Sequence, residues 1–369
     1  MARKLKSDKW LFLATLALIC TSVVMVYSAS ALVALERFQQ PSLFVTRQIM
    51  WAALGVAVLS IVMRIDYRTY RNDRLIWALL GLVGFLLTAV LFAQPVNGTR
   101  RWFGIGGFGM QPSELAKLAA IFFTALILER RRHRINELGY SLLPIGVIVG
   151  GLAALILLEP DFGTAVSLLA VTGVMIFAAG LSYRYLFGAM LLALPALYVI
   201  LMQADYRRRR LLTFMDPWAD PLGDGFQIIQ SLIAVGTGGV FGKGLMNGVQ
   251  KLFYLPEPHT DFIYAVISEE TGLIGATLVL LCFCVIGWRG MRAALKAPDG
   301  FGAFLALGIT MMLVLQAFVN ISIVLGMLPT KGLPLPLVSN GGSSMLINLL
   351  GVGVLLNISQ HSAMETGAA

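Results

Sequence analysis

The sequence predicts an all-α polytopic membrane protein: a bundle of about ten transmembrane helices, with one large extracytoplasmic loop before the eighth. Three observations predict it. Hydrophobic residues fill 58% of the 369 positions and charged residues only 13%, where a soluble domain carries about 25% charged residues. The apolar residues come in repeated runs of about 18 or more, long enough to span a bilayer as helix. The alternating pattern of a membrane barrel is absent.

The runs place spans at roughly 10–35, 44–63, 75–93, 113–129, 142–158, 162–180, 184–203, 262–288, 301–328 and 343–359. The first follows basic MARKLK and ends near Ser-Ala-Ser-Ala at 28–31, which imitates a secretion signal. Its apolar stretch is too long for a signal core and more spans follow, so it reads as a retained helix. The fifth and sixth spans are separated only by Glu159-Pro160-Asp161 and form a tight hairpin. An even number of spans puts both termini on one side. Leaving out 204–261, that side carries 16 Lys and Arg against 5 in the short loops opposite, so both termini are expected in the cytoplasm. Segments 94–112, 204–261 and 329–342 then face outward. Residues 1–369 read as a single integral membrane domain, since no piece outside the membrane is long enough to fold alone. Loop 204–261 holds a short apolar helical segment at 228–235 and a glycine-rich turn, expected along the outer interface as an amphipathic or re-entrant element.

The net charge of +9 is accounted for by topology, so no nucleic-acid partner is expected. Cys20, Cys282 and Cys284 lie inside apolar runs and read as buried small hydrophobes, with no disulfide or metal framework. The inner loops hold no phosphate-binding loop. The Gly104–Gly109 run, GIGGFG, follows no strand of a nucleotide-binding unit and reads as a turn.

The unusual residues gather on the outward side. Asp261 stands where a polar loop turns into an apolar run. Two readings stand: an N-cap of the next helix, or a catalytic base whose pKa is tuned at an outer cavity. Pro256 and Pro258 stiffen its approach, and Glu257 and His259 add titratable groups, His259 reading as a hydrogen-bonded structural histidine. Ser113 reads as the N-cap of the fourth span. Glu114 and Lys117 follow at i,i+3, either as a structural ion pair or lining a polar cavity. Asp161 either caps the sixth helix or faces that cavity. Glu269 and Glu270 lie about 12 Å beyond Asp261 along a helix and either face the same cavity or pair with a buried cation. Arg207, Arg208, Arg209 and Arg210 form a run beside the membrane, with Arg101 and Lys331 on the same side. They are either a solvated, lipid-contacting face or a site for phosphate oxygens, which arginine binds in bidentate fashion. Outward cations beside a lone carboxylate suit a lipid diphosphate. The proline- and glycine-rich stretch from Leu328 through Ser339 to Ser344 leaves backbone groups free, which membrane depth tolerates where protein buries them or a cavity solvates them.

The motifs NGTRRWFGIG, QPSELAK, EPDFGT, YRRRR with DPWADPLGDGFQIIQS, LPEPHTDFIYAVISEETGLIG and LPTKGLPLPLVSNGGSS run along nearly the whole chain. In them the chain resembles the SEDS family, the FtsW/RodA group of bacterial cell-wall polymerases, and its wording is closer to the division branch than to the elongation branch. The resemblance implies a ten-helix peptidoglycan glycosyltransferase of the cytoplasmic membrane that polymerises lipid II into glycan strands and releases undecaprenyl diphosphate. It places the family's essential aspartate on Asp261, the fourth-helix pair on Glu114 and Lys117, the hairpin aspartate on Asp161, and an Arg-Trp pair on Arg101 and Trp102. Substrate contacts are then expected from Arg101, Glu114, Lys117, Asp161, Arg207, Arg208, Arg209, Arg210, Lys331 and Ser339. Expected partners are lipid II, membrane lipids, a class B penicillin-binding transpeptidase and divisome membrane proteins. No cofactor is assigned, and a divalent cation stays open. One departure is Asn340, where the family usually has tyrosine. The competing functions are a lipid II flippase, the elongation-type polymerase, or a scaffold that only recruits partners. A flippase needs polar groups continuing through the inner half, whereas the unusual residues here cluster outside.

Overall fold

The computed structural model describes residues 7–95, 99–105, 108–202, 205–330 and 332–365. Each expected span is occupied by a helix: α1 (Lys9–Phe38), α2 (Leu43–Val62), α3 (Asp73–Val90), α4 (Pro112–Arg131), α5 (Leu143–Leu158), α6 (Phe162–Ala178), α7 (Tyr183–Met202), α10 (Ile263–Leu295), α11 (Gly300–Val324) and α12 (Gly342–Glu365). Two more helices, α8 (Asp205–Met215) and α9 (Phe226–Gly238), lie in the long loop. Among the described residues seven helical stretches are long and apolar enough to cross a membrane: α1, α2, α3, α5 together with the helical turn before it (Leu138–Leu158), α10, α11 and α12. α6 is shorter, at 17 residues, and α4 carries charge at both ends.

α11 and α12 form the centre, buried along most of their length. α12 packs on α2 and α11; α10 packs on α11, α1 and α9; α4 packs on α11, α3 and α6. Side chains that point away from this core are apolar as well, including Leu54, Trp77, Phe85 and Leu278, because their solvent is lipid. Cys20 and Cys284 belong to that outer face and Cys282 is half-buried, all as free thiols. The expectation that all three are buried is therefore corrected: an apolar run in a bilayer is apolar on its lipid side too.

The start of α1 and the later turns of α12 lie on one side of the bundle. Asp8, the N-cap of α1, accepts from Arg289 near the end of α10 at 2.6 Å. Asn357 of α12 accepts from the Tyr67 backbone N–H at 2.9 Å, and the Tyr67 hydroxyl donates to Asp299, the N-cap of α11, at 2.6 Å. On the opposite side, the GIGGFG run spans parts of two short antiparallel strands, β1 (Phe103–Ile105) and β2 (Phe108–Met110), with Phe103 facing Met110; the tip of the expected turn, residues 106 and 107, lies outside the described residues.

α10 differs most from its expected span. At 33 residues it would reach about 50 Å, well beyond the roughly 30 Å of a hydrocarbon core. It is broken at Gly272, which has φ 66° and ψ −166°. The stretch 263–270 before the break is buried on every face, whereas Leu273, Ile274 and Leu278 after it are exposed. The break frees backbone groups, and the glycine-rich turn after α9 satisfies them. Lys243 and Gly244 donate N–H to the carbonyls of Glu269 and Glu270, each at 3.0 Å, while Leu273 N–H donates to Gly239 O at 2.9 Å. The two side chains are satisfied as well. Glu269 pairs with Lys243 at 2.8 Å and accepts from the N–H groups of Val249 and Gln250. Glu270 pairs with Lys251 at 2.6 Å and accepts from Ser28 of α1 and from Met246 N–H. Of the two readings of these acids, pairing with cations is the one the structure holds.

A Cβ on Gly272 would stand 2.3 Å from Gly242 N, whereas one on Gly146 of α5 meets nothing within 4 Å. Gly272→Ala is expected to destabilise by at least about 1–3 kcal/mol, read as a lowered melting temperature in detergent. Gly146→Ala should be neutral or stabilising by up to about 1 kcal/mol.

Candidate active site at the outward connections

Four connections meet on the side opposite the chain ends: the segment from α3 to α4, the α5–α6 tip, the loop before α10, and the stretch between α11 and α12. Each is drawn in by polar side chains that satisfy backbone of another.

Arg101 reaches the α5–α6 tip, its Nε donating to Glu159 O at 3.0 Å and its Nη2 to Pro160 O at 2.5 Å. Gln111 Nε2 donates to the Asp161 carboxylate at 3.0 Å, and its backbone N–H donates to Ser343 Oγ at 3.1 Å. Asp161 caps α6, accepting from Thr164 N–H at 3.2 Å and from the Thr164 hydroxyl at 2.8 Å. Of the two readings of Asp161 the structure shows the cap.

Gln111, not Ser113, is the N-cap of α4, with Pro112 in the first turn. That corrects the expectation for Ser113, whose hydroxyl accepts from Gln111 Nε2 at 2.9 Å. Glu114 and Lys117 form an ion pair at 3.0 Å, both about 2% exposed. Lys117 Nζ also donates to Gln316 Oε1 of α11 at 2.7 Å. It sits inside the bundle rather than at the surface, and Gln316 in turn donates to Pro334 O at 2.9 Å.

Asp261 does not cap α10: the N-cap is Phe262, with no side-chain hydrogen bond. Asp261 is half-buried as a residue, and its carboxyl is largely enclosed by protein. Its Oδ2 rests against Gly332, where a Cβ would lie 3.3 Å away. Its backbone carbonyl accepts from Asn320 Nδ2 of α11 at 2.8 Å, and the same nitrogen donates to Leu333 O at 2.7 Å. Ser339 clamps the preceding residue: its hydroxyl donates to Thr260 O at 2.6 Å and accepts from Leu335 N–H at 2.8 Å. Asn340, at the position of the missing tyrosine, gives its backbone N–H to His259 O at 2.9 Å. That contact needs no particular side chain.

Burial pushes the Asp261 carboxyl up to about 7. Glu257 and Asp161 add to the rise, and Arg210 and Arg101 oppose it. Of the arginine run, Arg210 Nη1 donates to Thr330 O at 3.1 Å, while Arg208 and Arg209 are exposed. The side chain of Arg207 and all of Lys331 lie outside the described residues. His259 is buried against Phe44, with ring centroids 5.0 Å apart, and its Nδ1 has no hydrogen-bond partner. The expected hydrogen-bonded histidine is thus corrected to a packed one, its pKa pulled down by burial. Among the described residues no group of three His, Cys, Asp or Glu side chains is placed to hold a metal ion.

Gln316 and Asn320 are not among the site residues expected from the sequence. A signal existed: two amides four residues apart share one face of an otherwise apolar span.

The model of the FtsW, RodA and SpoVE family, described as cell cycle protein, matches residues 9–364. The chain belongs to this family. It is 45% identical over 357 residues to the probable peptidoglycan glycosyltransferase FtsW of Geobacter metallireducens, covering 95% of this chain and 94% of that one. It is 43% identical over 365 residues to stage V sporulation protein E of Bacillus subtilis, covering 98% and 99%. Among solved structures it matches a chain of a peptidoglycan synthase complex that coordinates polymerization and crosslinking, with TM-score 0.80, 30% identity and coverage of 98% and 99%. It also matches the rod shape determining protein RodA of Thermus thermophilus, with TM-score 0.71, 28% identity and coverage of 96% and 97%.

Glu159, beside the site, is fully buried and both carboxylate oxygens lack hydrogen-bond partners. Burial pushes its pKa up to about 8, with Asp161 adding to the rise and Arg101 opposing it. A carboxyl raised on folding binds its proton more tightly in the native state, so stability falls as pH climbs from the unfolded pKa of about 4.3 towards 8. Glu159→Gln removes that loss. Its melting temperature is expected to match the parent below about pH 4, to exceed it increasingly up to about pH 8, and to keep the advantage above.

Proposed function

We propose that this member of the FtsW, RodA and SpoVE family is a peptidoglycan glycosyltransferase of the division branch. On this reading it polymerises lipid II at the outer face of the bacterial cytoplasmic membrane. Both termini are cytoplasmic, in keeping with the excess of Lys and Arg on the side of the chain ends. The observation that carries the reading is Asp261: a carboxylate among the outward connections with its Oδ2 against Gly332, its pKa raised to about 7 and that rise opposed by Arg210 and Arg101.

In the reaction, the 4-hydroxyl oxygen of the acceptor sugar attacks the anomeric carbon of the donor. The bond from that carbon to the diphosphate breaks, and undecaprenyl diphosphate leaves with the bonding pair. Asp261 takes the hydroxyl proton. A base with a pKa near the working pH combines a large ionised fraction with useful basicity. Arg210 and Arg101, the cations that act on Asp261, supply the positive charge that a growing diphosphate needs. Lys117 acts through its contacts with Glu114 and Gln316. Asp161 holds the α5–α6 tip against Gln111, and Ser339 holds Thr260. A single-span class B penicillin-binding transpeptidase is the proposed partner that cross-links the strands, with other divisome membrane proteins.

Asp261→Asn keeps the size and removes the base. Purified, folded Asp261→Asn protein given fluorescent lipid II is expected to lose glycan polymerisation by at least about 100-fold. The parent rate should rise through an acidic limb near pH 7. Normal polymer from the variant would refute the assignment, and leaflet exchange of the lipid without polymer from the parent would favour a flippase.

A further inference from the structure

We infer that Asn320 is a positioning residue for this reaction, holding the backbone of Asp261 and of Leu333 together from α11 and so setting where the Asp261 carboxylate sits. The inference rests on the reading of Asp261 as the base.

Asn320 is 1% exposed. Its amide has two hydrogens, and both are committed: one to Asp261 O at 2.8 Å and one to Leu333 O at 2.7 Å. Its own oxygen has no partner, so this buried side chain is oriented by the two carbonyls it holds. They belong to the two stretches that frame the carboxylate. Leu333 follows Gly332, whose Cα side lies so close to Asp261 Oδ2 that an added Cβ would sit at 3.3 Å. Joining the carbonyls of 261 and 333 therefore fixes the carboxylate against the backbone of 332. Gln316, one turn earlier on the same face of α11, binds Lys117 and Pro334 O. One face of one helix thus sets both the α4 ion pair and the base.

The fold does not depend on this amide alone. Ser339 still ties Thr260 O to Leu335 N–H, and Asn340 N–H still holds His259 O. Without Asn320 the loop stays in place, but the carboxylate loses its support and gains water. The charged groups that face Asp261 are Glu257 on its own loop, Arg210 from α8, Asp161 at the hairpin tip and Arg101 before β1. A change at 320 alters none of them, so a shift in the pH profile reports on the carboxylate's surroundings.

The experiment uses full-length Asn320→Ala, Asn320→Gln, Asp261→Asn and parent protein with lipid II as the probe. Polymerisation is followed against pH and substrate concentration, and folding by thermal melting in detergent. Asn320→Ala is expected to stay folded and to lose kcat at least about tenfold, with KM changed by less than about threefold. Its acidic limb should move to lower pH, because a carboxyl returned to water recovers its ordinary range. Asn320→Gln, which keeps the amide, should recover part of the rate. A limb left at its parent position while Asp261→Asn is inactive would overturn the inference alone. An active Asp261→Asn would overturn the reading of Asp261 and this inference with it.

Discussion

The structure depends on one constraint: backbone that leaves helical geometry near the bilayer must find hydrogen-bond partners within the protein. The stretch between α11 and α12 is irregular yet largely buried. Its carbonyls are met by side chains of membrane helices. Ser22 of α1 donates to Val338 O at 2.7 Å, and Gln48 of α2 donates to Ser339 O at 3.3 Å. Gln316 and Asn320 serve the same stretch from α11. Polar residues that look misplaced in apolar spans are what allow the outward surface to have a fixed shape.

Buried acids are handled in two contrasting ways. Glu269 and Glu270 are each given a lysine and backbone donors, an arrangement that joins the long loop to α1 and α10. Losing one partner of such a pair is strongly destabilising. Asp261 and Glu159 are treated oppositely. Among the described residues neither is paired with a lysine, and both are pushed towards neutrality by burial. A carboxyl left undercompensated, half-buried and beside cations is the kind that chemistry uses.

Much of this is legible in the sequence, and the parts that are not share a reason. The ten spans can be read because a bilayer demands long apolar runs. The outward convergence of Asp161, Ser339 and Asp261 can be read because polar residues at membrane boundaries are costly. The Glu114–Lys117 pair follows from spacing alone. The break at Gly272 is hidden, since a single glycine in an apolar run also occurs in unbroken helices; only the turn at 239–244 packed against it shows why it must be there. The thiols are misplaced because burial in a bundle and exposure to lipid favour the same residue types. For His259 the sequence suggests a hydrogen-bond partner, whereas its buried contact with Phe44 depends on a neighbour more than 200 positions away in sequence. Asn320 draws no notice because its partners are carbonyls, which every residue has.

The interruption of α10 at Gly272 also divides it into two arms with different surroundings. Its longer arm turns apolar side chains such as Leu273 and Leu278 outward. Its shorter arm is moored through Glu270 and Lys251 to Ser28, and it leads directly into Asp261. The turn at 239–244 is bonded to both arms, to Glu269 and Glu270 on the shorter and to Leu273 and Ile274 on the longer, so the change of direction at Gly272 is fixed from outside the helix.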